Sequence, residues 1–297
     1  MDLRNFVRVI LLGLAVALPA QAAVITARLP GWVCGQGDTP LFFDDFEIGD
    51  AIYHEPSHGS GGAYPGAQTR SVFIAGQMRS YYLQIPIGYP FAEPVPVLMV
   101  LHGGAGAGMA PTAAQGLRDI WSAQAQAGGF IVVAPVASGG QGGWVPEQDY
   151  PMFQAILADV AAHYNIDTSR IHGWGFSAGG HLMHDLALHQ YAGVPDTRTF
   201  AAYGISAGVL QVLVCSPMGT CPAVLGQLAR KIPVDLRVGI SDGYKGGVED
   251  DRSAFLAAGW STGSTLRYAT FPAGHVVYPG HFADTWDFLC PFQRRNE

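Results

Sequence analysis

The stretch Ile171-His172-Gly173-Trp174-Gly175-Phe176-Ser177-Ala178-Gly179-Gly180 decides the fold prediction. Its central residues match G-x-S-x-G, a pattern typical of a sharp strand-to-helix turn that exposes a serine hydroxyl above the end of a sheet. The positions two before and two after such a serine lie almost in contact, so glycine is favoured there because it has no Cβ. The turn also places Ser177 at a helix N-terminus, where free N–H groups favour developing negative charge. The chain contains 39 glycines, so the motif alone could arise by chance, and the prediction depends on the partners of the serine.

Composition and the N-terminus place the chain among exported globular proteins. Its 297 residues are 49% hydrophobic and 13% charged, with a formal net charge of −7. This allows one α/β domain with a full core and argues against nucleic-acid binding. Arg4 and Arg8 precede an apolar run over 9–18, which predicts a secretory signal rather than a membrane span. We expect cleavage near Ala22, export to the periplasm or the cell exterior, and no stable membrane insertion.

The four cysteines, Cys34, Cys215, Cys221 and Cys290, are expected to pair in an oxidising compartment. Four cysteines allow three connectivities. The short, turn-rich spacing favours Cys215 with Cys221, which leaves Cys34 with Cys290. The spacing does not suggest zinc, and we predict neither a metal nor a cofactor.

The chain is expected to divide into three parts: a signal peptide at 1–22, an N-terminal arm and linker at 23–67, and a catalytic domain at 68–297. The arm is rich in glycine, proline and acids, and we favour an extended segment that wraps the domain over a calcium site among the acids at 38–50. Residues 57–62 predict a flexible linker because glycine and serine dominate them.

Strand-like and helix-like patterns alternate through the domain. An antiparallel pair is expected around Gly76, and the continuous apolar runs at 95–101 and 130–134 predict strands buried on both faces. Apolar residues at 153–164 recur at helical spacing. Further strands are expected at 200–205, 236–240 and 266–271. This alternation predicts an α/β fold, a mostly parallel central sheet with helices on both faces, whose functional site lies at the carboxyl ends of the strands.

Ser177 needs a base, because a hydroxyl is a weak nucleophile at neutral pH. His275 directly follows a predicted strand, in a loop from which an imidazole can lean over the sheet. It is therefore preferred to His281, which stands at the start of the closing helix. Three other histidines lie on or just after the helix that begins at the serine and are interpreted as polar helix surface: His181, His184 and His189.

The acid that orients the base is expected after the strand preceding that of the base. This selects Asp242, which would hold the imidazole tautomer and stabilise the imidazolium. Asp250 and Asp251 have an adequate role as helix caps, and Asp235 stands at the wrong end of its strand.

An oxyanion formed on attack by Ser177 needs two N–H donors. We expect one from the backbone of Ala178 and the other from Gly104, in the loop after the strand that ends at Leu101. His102 is interpreted as a structural polar group. Trp144 is a candidate wall of the acyl pocket, with plain packing as the alternative.

These motifs together resemble a known family. The chain resembles secreted polyhydroxybutyrate depolymerase-like and feruloyl esterase-like proteins over roughly residues 70–290. The residues that carry the resemblance are Leu101-His102-Gly103-Gly104, Trp144 with Asp149, Asp167-Thr168-Ser169-Arg170, the motif at 175–180, Ala257-Ala258-Gly259-Trp260 and Gly274-His275. The resemblance implies an α/β-hydrolase fold, ester hydrolysis without a cofactor, and a triad of Ser177, Asp242 and His275.

Two features depart from the family pattern. His172 and Gly173 stand where apolar β-formers are usual, which predicts a weakened strand before the serine. Val238 precedes Gly239 where the family has a histidine.

The sequence therefore predicts a secreted serine esterase that hydrolyses carboxylic esters through a Ser-His-Asp acyl-enzyme mechanism. Hydroxyalkanoate esters of the polyhydroxybutyrate type, small or polymeric, are the first expectation. The alternatives are a feruloyl or acetyl esterase acting on plant polysaccharide, a peptidase on the same fold, and a non-catalytic exported binding protein. The oligomeric state is left open.

Overall fold

The computed structural model describes residues 54–63, 65–90, 92–189, 195 and 198–294. The predicted signal peptide, the acidic stretch at 38–50 and Cys34 lie outside these residues. Within them, the domain begins with a hairpin of β1 (Gly66–Ile74) and β2 (Gln77–Ile85). The predicted antiparallel pair around Gly76 is confirmed: Ala75 and Gly76 form its two-residue turn, with φ of 49° and 77°.

The described strands form one eight-stranded sheet. The strands that follow the hairpin are β3 (Val95–Leu101), β4 (Ile131–Pro135), β5 (Ile166–Phe176), β6 (Phe200–Ser206), β7 (Val234–Gly239) and β8 (Leu266–Phe271). Their order across the sheet is β1-β2-β4-β3-β5-β6-β7-β8. The pairs β1–β2 and β2–β4 are antiparallel, and all the other pairs are parallel.

Helices cover both faces of this sheet, as predicted. They are α1 (Ala110–Gly128), α2 (Pro146–His163), α3 (Ala178–Leu188), α4 (Cys221–Gly226), α5 (Lys245–Ala257) and α6 (Phe282–Leu289). Side chains of α1 and α6 share a cluster with Leu98 and Val100 of β3, whereas those of α2, α3 and α5 share a cluster with Val97, Met99 and Leu101. Successive residues of β3 thus serve opposite faces, which is why the whole strand is apolar.

The last part of the arm is bound to the domain, so the prediction of a flexible linker at 57–62 is wrong. Ser57 N–H donates to Ile166 O, and Gly62 N–H donates to His163 O. A Cβ on Gly59 would lie 2.1 Å from Ala161 O. The glycines that suggested flexibility instead let the arm approach the end of α2 closely.

The segment after β6 folds over α3 and is closed by a disulfide. Cys215 and Cys221 are bonded, as predicted. Val209 and Leu210 of this segment join the same core cluster as α3. Cys290 is also disulfide-bonded, but its predicted partner lies outside the described residues, so that pairing stays a prediction.

The departures at His172 and Gly173 do not interrupt β5, which is 11 residues long. His172 is completely buried with its ring edge-on to Trp286, 5.5 Å between centroids. A Cβ on Gly173 would lie 2.3 Å from the sulfur of Met183, so α3 packs closely against the strand at this point. In the described part of the chain, no helix is both long and apolar enough to cross a membrane.

Candidate active site

Ser177 occupies the sharp turn between β5 and α3. Its backbone has φ 53° and ψ −120°, a conformation that side chains rarely adopt and that costs on the order of 1–3 kcal/mol. Its N–H donates to Ser206 O at 2.9 Å, and its carbonyl accepts the first helical bond, from His181 N–H at 3.0 Å. A Cβ on Gly175 would lie 2.3 Å from Gly179 O. The contact between the motif glycines that the sequence predicts is therefore present.

The structure brings Ser177, His275 and Asp242 into one hydrogen-bonded line. His275 Nε2 lies 2.8 Å from Ser177 Oγ, and its Nδ1 lies 3.0 and 3.2 Å from the two carboxylate oxygens of Asp242. The Asp242 side chain is fully buried, whereas 38% of the His275 side chain is exposed. With the proton on Nδ1, the imidazole donates to Asp242 and leaves Nε2 free to accept the serine proton.

Backbone contacts fix the acid and base loops relative to each other. Ser241 N–H donates to Ala273 O at 3.1 Å. A Cβ on Gly239 would lie 2.3 Å from the same carbonyl, so only glycine allows this approach. Asp242 Oδ1 also accepts the N–H of Tyr244 at 2.8 Å, a second hydrogen bond that fixes the carboxylate next to the imidazole.

The loop after β3 lies beside the serine. A Cβ on Gly103 would meet the Phe176 ring at 3.0 Å and Ser177 Cβ at 3.2 Å, whereas a Cβ on Gly104 would meet nothing within 4 Å. The backbone at Gly104 is therefore open on its Cβ side. Ala178 is the first residue of α3, so its N–H has no acceptor within the helix. Both predicted oxyanion donors thus belong to segments next to Ser177, and their role stays a prediction.

Trp144 packs against the start of the loop after β3 and hydrogen-bonds to it. Its indole N–H donates to His102 O at 2.7 Å, and its ring lies 4.6 Å from the His102 ring. Asp149, which is buried, accepts the N–H groups of Ser138 and Val145 and so closes the loop that carries Trp144. These contacts favour the packing interpretation of Trp144 over the pocket-wall interpretation.

His102 is structural in its contacts, as expected. Its Nδ1 lies 2.6 Å from Gly103 O, and its Nε2 accepts Ala137 N–H at 3.4 Å. Burial lowers the pKa of this imidazole, so the neutral ring joins the ends of β3 and β4.

The interpretation of His181 and His184 as polar helix surface is wrong, because both are buried. The helix α3 is covered by the sheet on one side and by the segment after β6 and α5 on the other, so its residues 179–188 are all buried. His184 is fully enclosed beside Tyr203 and Asp251. Burial lowers the pKa of His184 to about 3 and raises that of Asp251 to about 8.

Two aromatic residues lie at the site that the sequence analysis did not predict there. The rings of Phe176 and Tyr244 lie 4.9 and 5.3 Å from the imidazole of His275. Phe176 is the first variable position of G-x-S-x-G, and Tyr244 lies two residues after the acid. Their positions next to the motif residues were the signal that could have identified them. Among the described residues, no group of three or more His, Cys, Asp or Glu side chains could hold a metal ion.

Comparisons with known proteins agree with this architecture. A family model described as BD-FAE matches residues 83–209, less than half of the chain. The match includes Ser177 and the loop after β3 but ends before Asp242 and His275. No curated protein matches the chain in sequence.

Solved structures resemble the domain at low sequence identity. A feruloyl esterase module from Clostridium thermocellum, complexed with sinapinate, is 15% identical with a TM-score of 0.60 over 83% of this chain and 96% of that one. A ferulic acid esterase from Anaeromyces mucronatus, in complex with ferulic acid, is 16% identical with a TM-score of 0.57 over 78% and 92%. Porphyromonas gingivalis dipeptidyl peptidase 4 is 17% identical with a TM-score of 0.53 over 77% of this chain but only 36% of that one. These likenesses establish the α/β-hydrolase fold that the sequence predicts.

Proposed function

We propose that this protein is a serine hydrolase of carboxylic esters, with Ser177 as nucleophile, His275 as general base and acid, and Asp242 as the orienting carboxylate. The observation that carries the proposal is the unbroken line from the buried Asp242 through His275 to Ser177 Oγ, whose last contact is 2.8 Å. A hydroxyl in hydrogen-bond contact with a neutral imidazole is the arrangement that activates serine.

The residues would act in two half-reactions. Ser177 Oγ attacks the ester carbonyl as His275 Nε2 takes its proton, and Asp242 stabilises the imidazolium. The N–H groups of Ala178 and Gly104 would bind the oxyanion, each contributing on the order of 3 kcal/mol to the barrier reduction. His275 then protonates the leaving alcohol, and water releases the acyl group by the same route in reverse.

The comparisons favour an aromatic acyl ester, of the feruloyl type, over the hydroxyalkanoate ester that was the first expectation. The two structural relatives that are covered over more than nine-tenths of their chains are a feruloyl esterase module and a ferulic acid esterase. The segments that follow β3, β6, β7 and β8 expose apolar side chains to solvent, which suits an apolar substrate. These are Met109, Val212, Leu213, Ile240, Tyr244 and Val276. The peptidase relative shares only the fold, and fold alone does not assign a reaction.

A separate observation, the disulfide of the described domain, supports export. The N-terminal signal pattern lies outside the described residues, but the disulfide between Cys215 and Cys221 is typical of an oxidising compartment. We therefore propose that the enzyme acts outside the cytoplasm.

The test compares the parent with Ser177→Ala and with Ser122→Ala, a control that removes an exposed hydroxyl on α1. Methyl ferulate, p-nitrophenyl acetate, poly-3-hydroxybutyrate and a fluorogenic peptide are assayed side by side, with fluorophosphonate labelling of each variant. Turnover and labelling should persist in Ser122→Ala and disappear in Ser177→Ala, with methyl ferulate the best substrate. Ester turnover in Ser177→Ala near the parent rate contradicts the nucleophile, and faster peptide than ester cleavage contradicts the substrate class.

A further inference from the structure

A second imidazole lies close to the site, on the side away from the loop after β3 that carries Gly103 and Gly104, here called the oxyanion loop. His181 is the fourth residue of α3, and its ring lies 5.4 Å from that of Tyr244, which in turn lies 5.3 Å from the His275 ring. The oxyanion loop follows β3, on one side of β5, whereas Val209 and Tyr244 follow β6 and β7, on the other side. His181 therefore flanks Ser177 opposite Gly103 and Gly104.

Hydrogen bonding assigns the tautomer of His181. The N–H of Val209 donates to His181 Nδ1 at 2.9 Å. The same nitrogen lies 3.2 Å from Val209 O, but a neutral Nδ1 that accepts a hydrogen bond has no proton to donate, and the shorter contact prevails. Burial lowers the pKa of this imidazole, so the neutral ring carries its single proton on Nε2.

The Nε2–H donor of His181 has no protein acceptor among the described residues, and it is not one of the buried atoms that lack a partner. It is therefore not completely enclosed, although the residue as a whole is only 7% exposed. A rigid donor held by its other nitrogen and presented at the edge of a site loses little conformational freedom when it binds an acceptor. Such a donor confers selectivity for substrates that carry an oxygen at the matching position.

Tyr244 supplies an apolar wall beside this donor. Its ring is 38% exposed, and its backbone N–H is fixed on Asp242 Oδ1. The backbone of Tyr244 is therefore fixed next to the acid. A group that binds beside these two rings would meet an aromatic surface and one N–H donor.

We propose that His181 Nε2–H and the Tyr244 ring form a subsite that binds an oxygen-bearing part of the ester, a hydroxyl or ether oxygen on the acyl group or on the alcohol. This inference rests on the proposed esterase function. His181 is here a specificity-determining residue that donates a hydrogen bond to the substrate, and it takes no part in proton transfer.

Two amide substitutions separate the two nitrogens of the ring. His181→Asn keeps an acceptor near Nδ1 for Val209 N–H but removes the Nε2 donor, whereas His181→Gln extends an amide donor to the Nε2 position. The full-length parent and both variants are assayed on two ester pairs that differ by one oxygen. The acyl pair is methyl 4-hydroxycinnamate and methyl cinnamate, and the alcohol pair is 2-hydroxyethyl butyrate and ethyl butyrate.

The readout is the ratio of kcat/KM for the oxygen-bearing ester to that for its partner. We expect the ratio to fall about tenfold in His181→Asn, the size of one substrate hydrogen bond, and to recover in His181→Gln. A change confined to the first pair places the oxygen on the acyl group, and a change confined to the second places it on the alcohol. If neither ratio changes while the parent hydrolyses esters, the subsite is refuted and the esterase function stands. If the parent neither hydrolyses esters nor reacts with fluorophosphonate, both proposals fail.

A measurement without substitution at His181 guards against variants that fold poorly. Imidazole ¹⁵N spectra of the Ser177→Ala protein should show His181 protonated on Nε2. The Nε2 resonance should shift on binding of the oxygen-bearing ester of one pair more than on binding of its partner. A proton on Nδ1, or equal shifts within both pairs, overturns the proposal.

Discussion

Asp242→Asn is the most informative substitution in the proposed triad, because the hydrogen bonds around this position fix the orientation of the new asparagine amide. Oδ1 of Asp242 accepts Tyr244 N–H at 2.8 Å, and Oδ2 faces His275 Nδ1 at 3.0 Å. An asparagine would keep its oxygen on the Tyr244 N–H, because the alternative sets two donors against each other. Its NH₂ group would then face Nδ1 and require that nitrogen to accept. The imidazole proton would move to Nε2, 2.8 Å from Ser177 Oγ, where it blocks removal of the serine proton.

The expected loss is large because the base is in the wrong tautomer rather than displaced. A triad with this defect loses about 10⁴-fold in kcat, or about 5 kcal/mol of transition-state stabilisation. The unfolding free energy should change by less than about 1 kcal/mol, since the Tyr244 bond and the side-chain shape are kept. Asp250→Asn is the matched control, because it makes the same chemical change at an exposed carboxylate eight residues along the chain.

Single-turnover acylation by p-nitrophenyl butyrate measures the step directly, and urea unfolding measures stability. Imidazole ¹⁵N spectra give an independent test, with the His275 proton on Nδ1 in the parent and on Nε2 in Asp242→Asn. The reasoning is refuted if Asp242→Asn acylates at more than a tenth of the parent rate. It is equally refuted if Asp250→Asn loses as much as Asp242→Asn does.

Three further predictions concern stability and the loops around the site. The buried side chain of His281 has no hydrogen-bond partner among the described residues, and burial lowers its pKa from 6.5 to about 4. The unfolded chain binds the proton first as pH falls, so between pH 7 and 5 the parent should lose about 2 kcal/mol more unfolding free energy than His281→Phe. Equal losses in urea titrations would contradict this. Gly175→Ala places a Cβ 2.3 Å from a carbonyl oxygen of α3 and should destabilise the fold by about 1–3 kcal/mol. In the control Gly116→Ala the Cβ meets nothing within 4 Å, so this variant should stabilise α1 by up to about 1 kcal/mol. If thermal unfolding gives both changes the same sign, the steric explanation is wrong. Trp144→Phe keeps an aromatic ring next to His102 but removes the 2.7 Å hydrogen bond to the His102 carbonyl. We expect kcat to fall by about tenfold or less and the unfolding free energy to fall by about 1 kcal/mol. A rise in KM alone would instead indicate that Trp144 contacts the substrate.

The carboxyl ends of β3 and β4 could be predicted from the sequence because a parallel strand buried on both faces is a continuous apolar run. The end of such a run predicts where the next loop begins, and the parallel arrangement brings these loops to the carboxyl edge of the sheet. Gly103 and Gly104 follow such a run, β3. Ser177, Asp242 and His275 follow β5, β7 and β8, which contain polar and charged residues, so their placement was predicted from the motifs and from the order of strands and helices along the chain. No contact between distant side chains had to be guessed.

The environment of α3 could not be predicted in the same way. His181 and His184 are polar residues on a helix that starts at the surface turn, and helical periodicity identifies only the face that meets the sheet. The second covering layer comes from the segment after β6, whose contacts are irregular and leave no periodic pattern. Similarly, the glycines at 57–62 suggest flexibility, because sequence does not distinguish a glycine that is free from one that is pressed against a neighbouring backbone.

The geometry of the proposed site has one rigid part and one that depends on the sheet. Asp242 and His275 belong to loops joined directly by Ser241 N–H to Ala273 O and by the glycine contact at 239. Within the described part of the chain, the backbone of Ser177 makes no such bond to either loop, and its N–H is bonded to Ser206 O. Its distance from the imidazole is set by the register across β5, β6 and β7, where Phe176 lies opposite Ser206 and Ser206 opposite Arg237. A change at β6 should therefore lengthen the contact between Ser177 and His275 while leaving the carboxylate–imidazole contact intact.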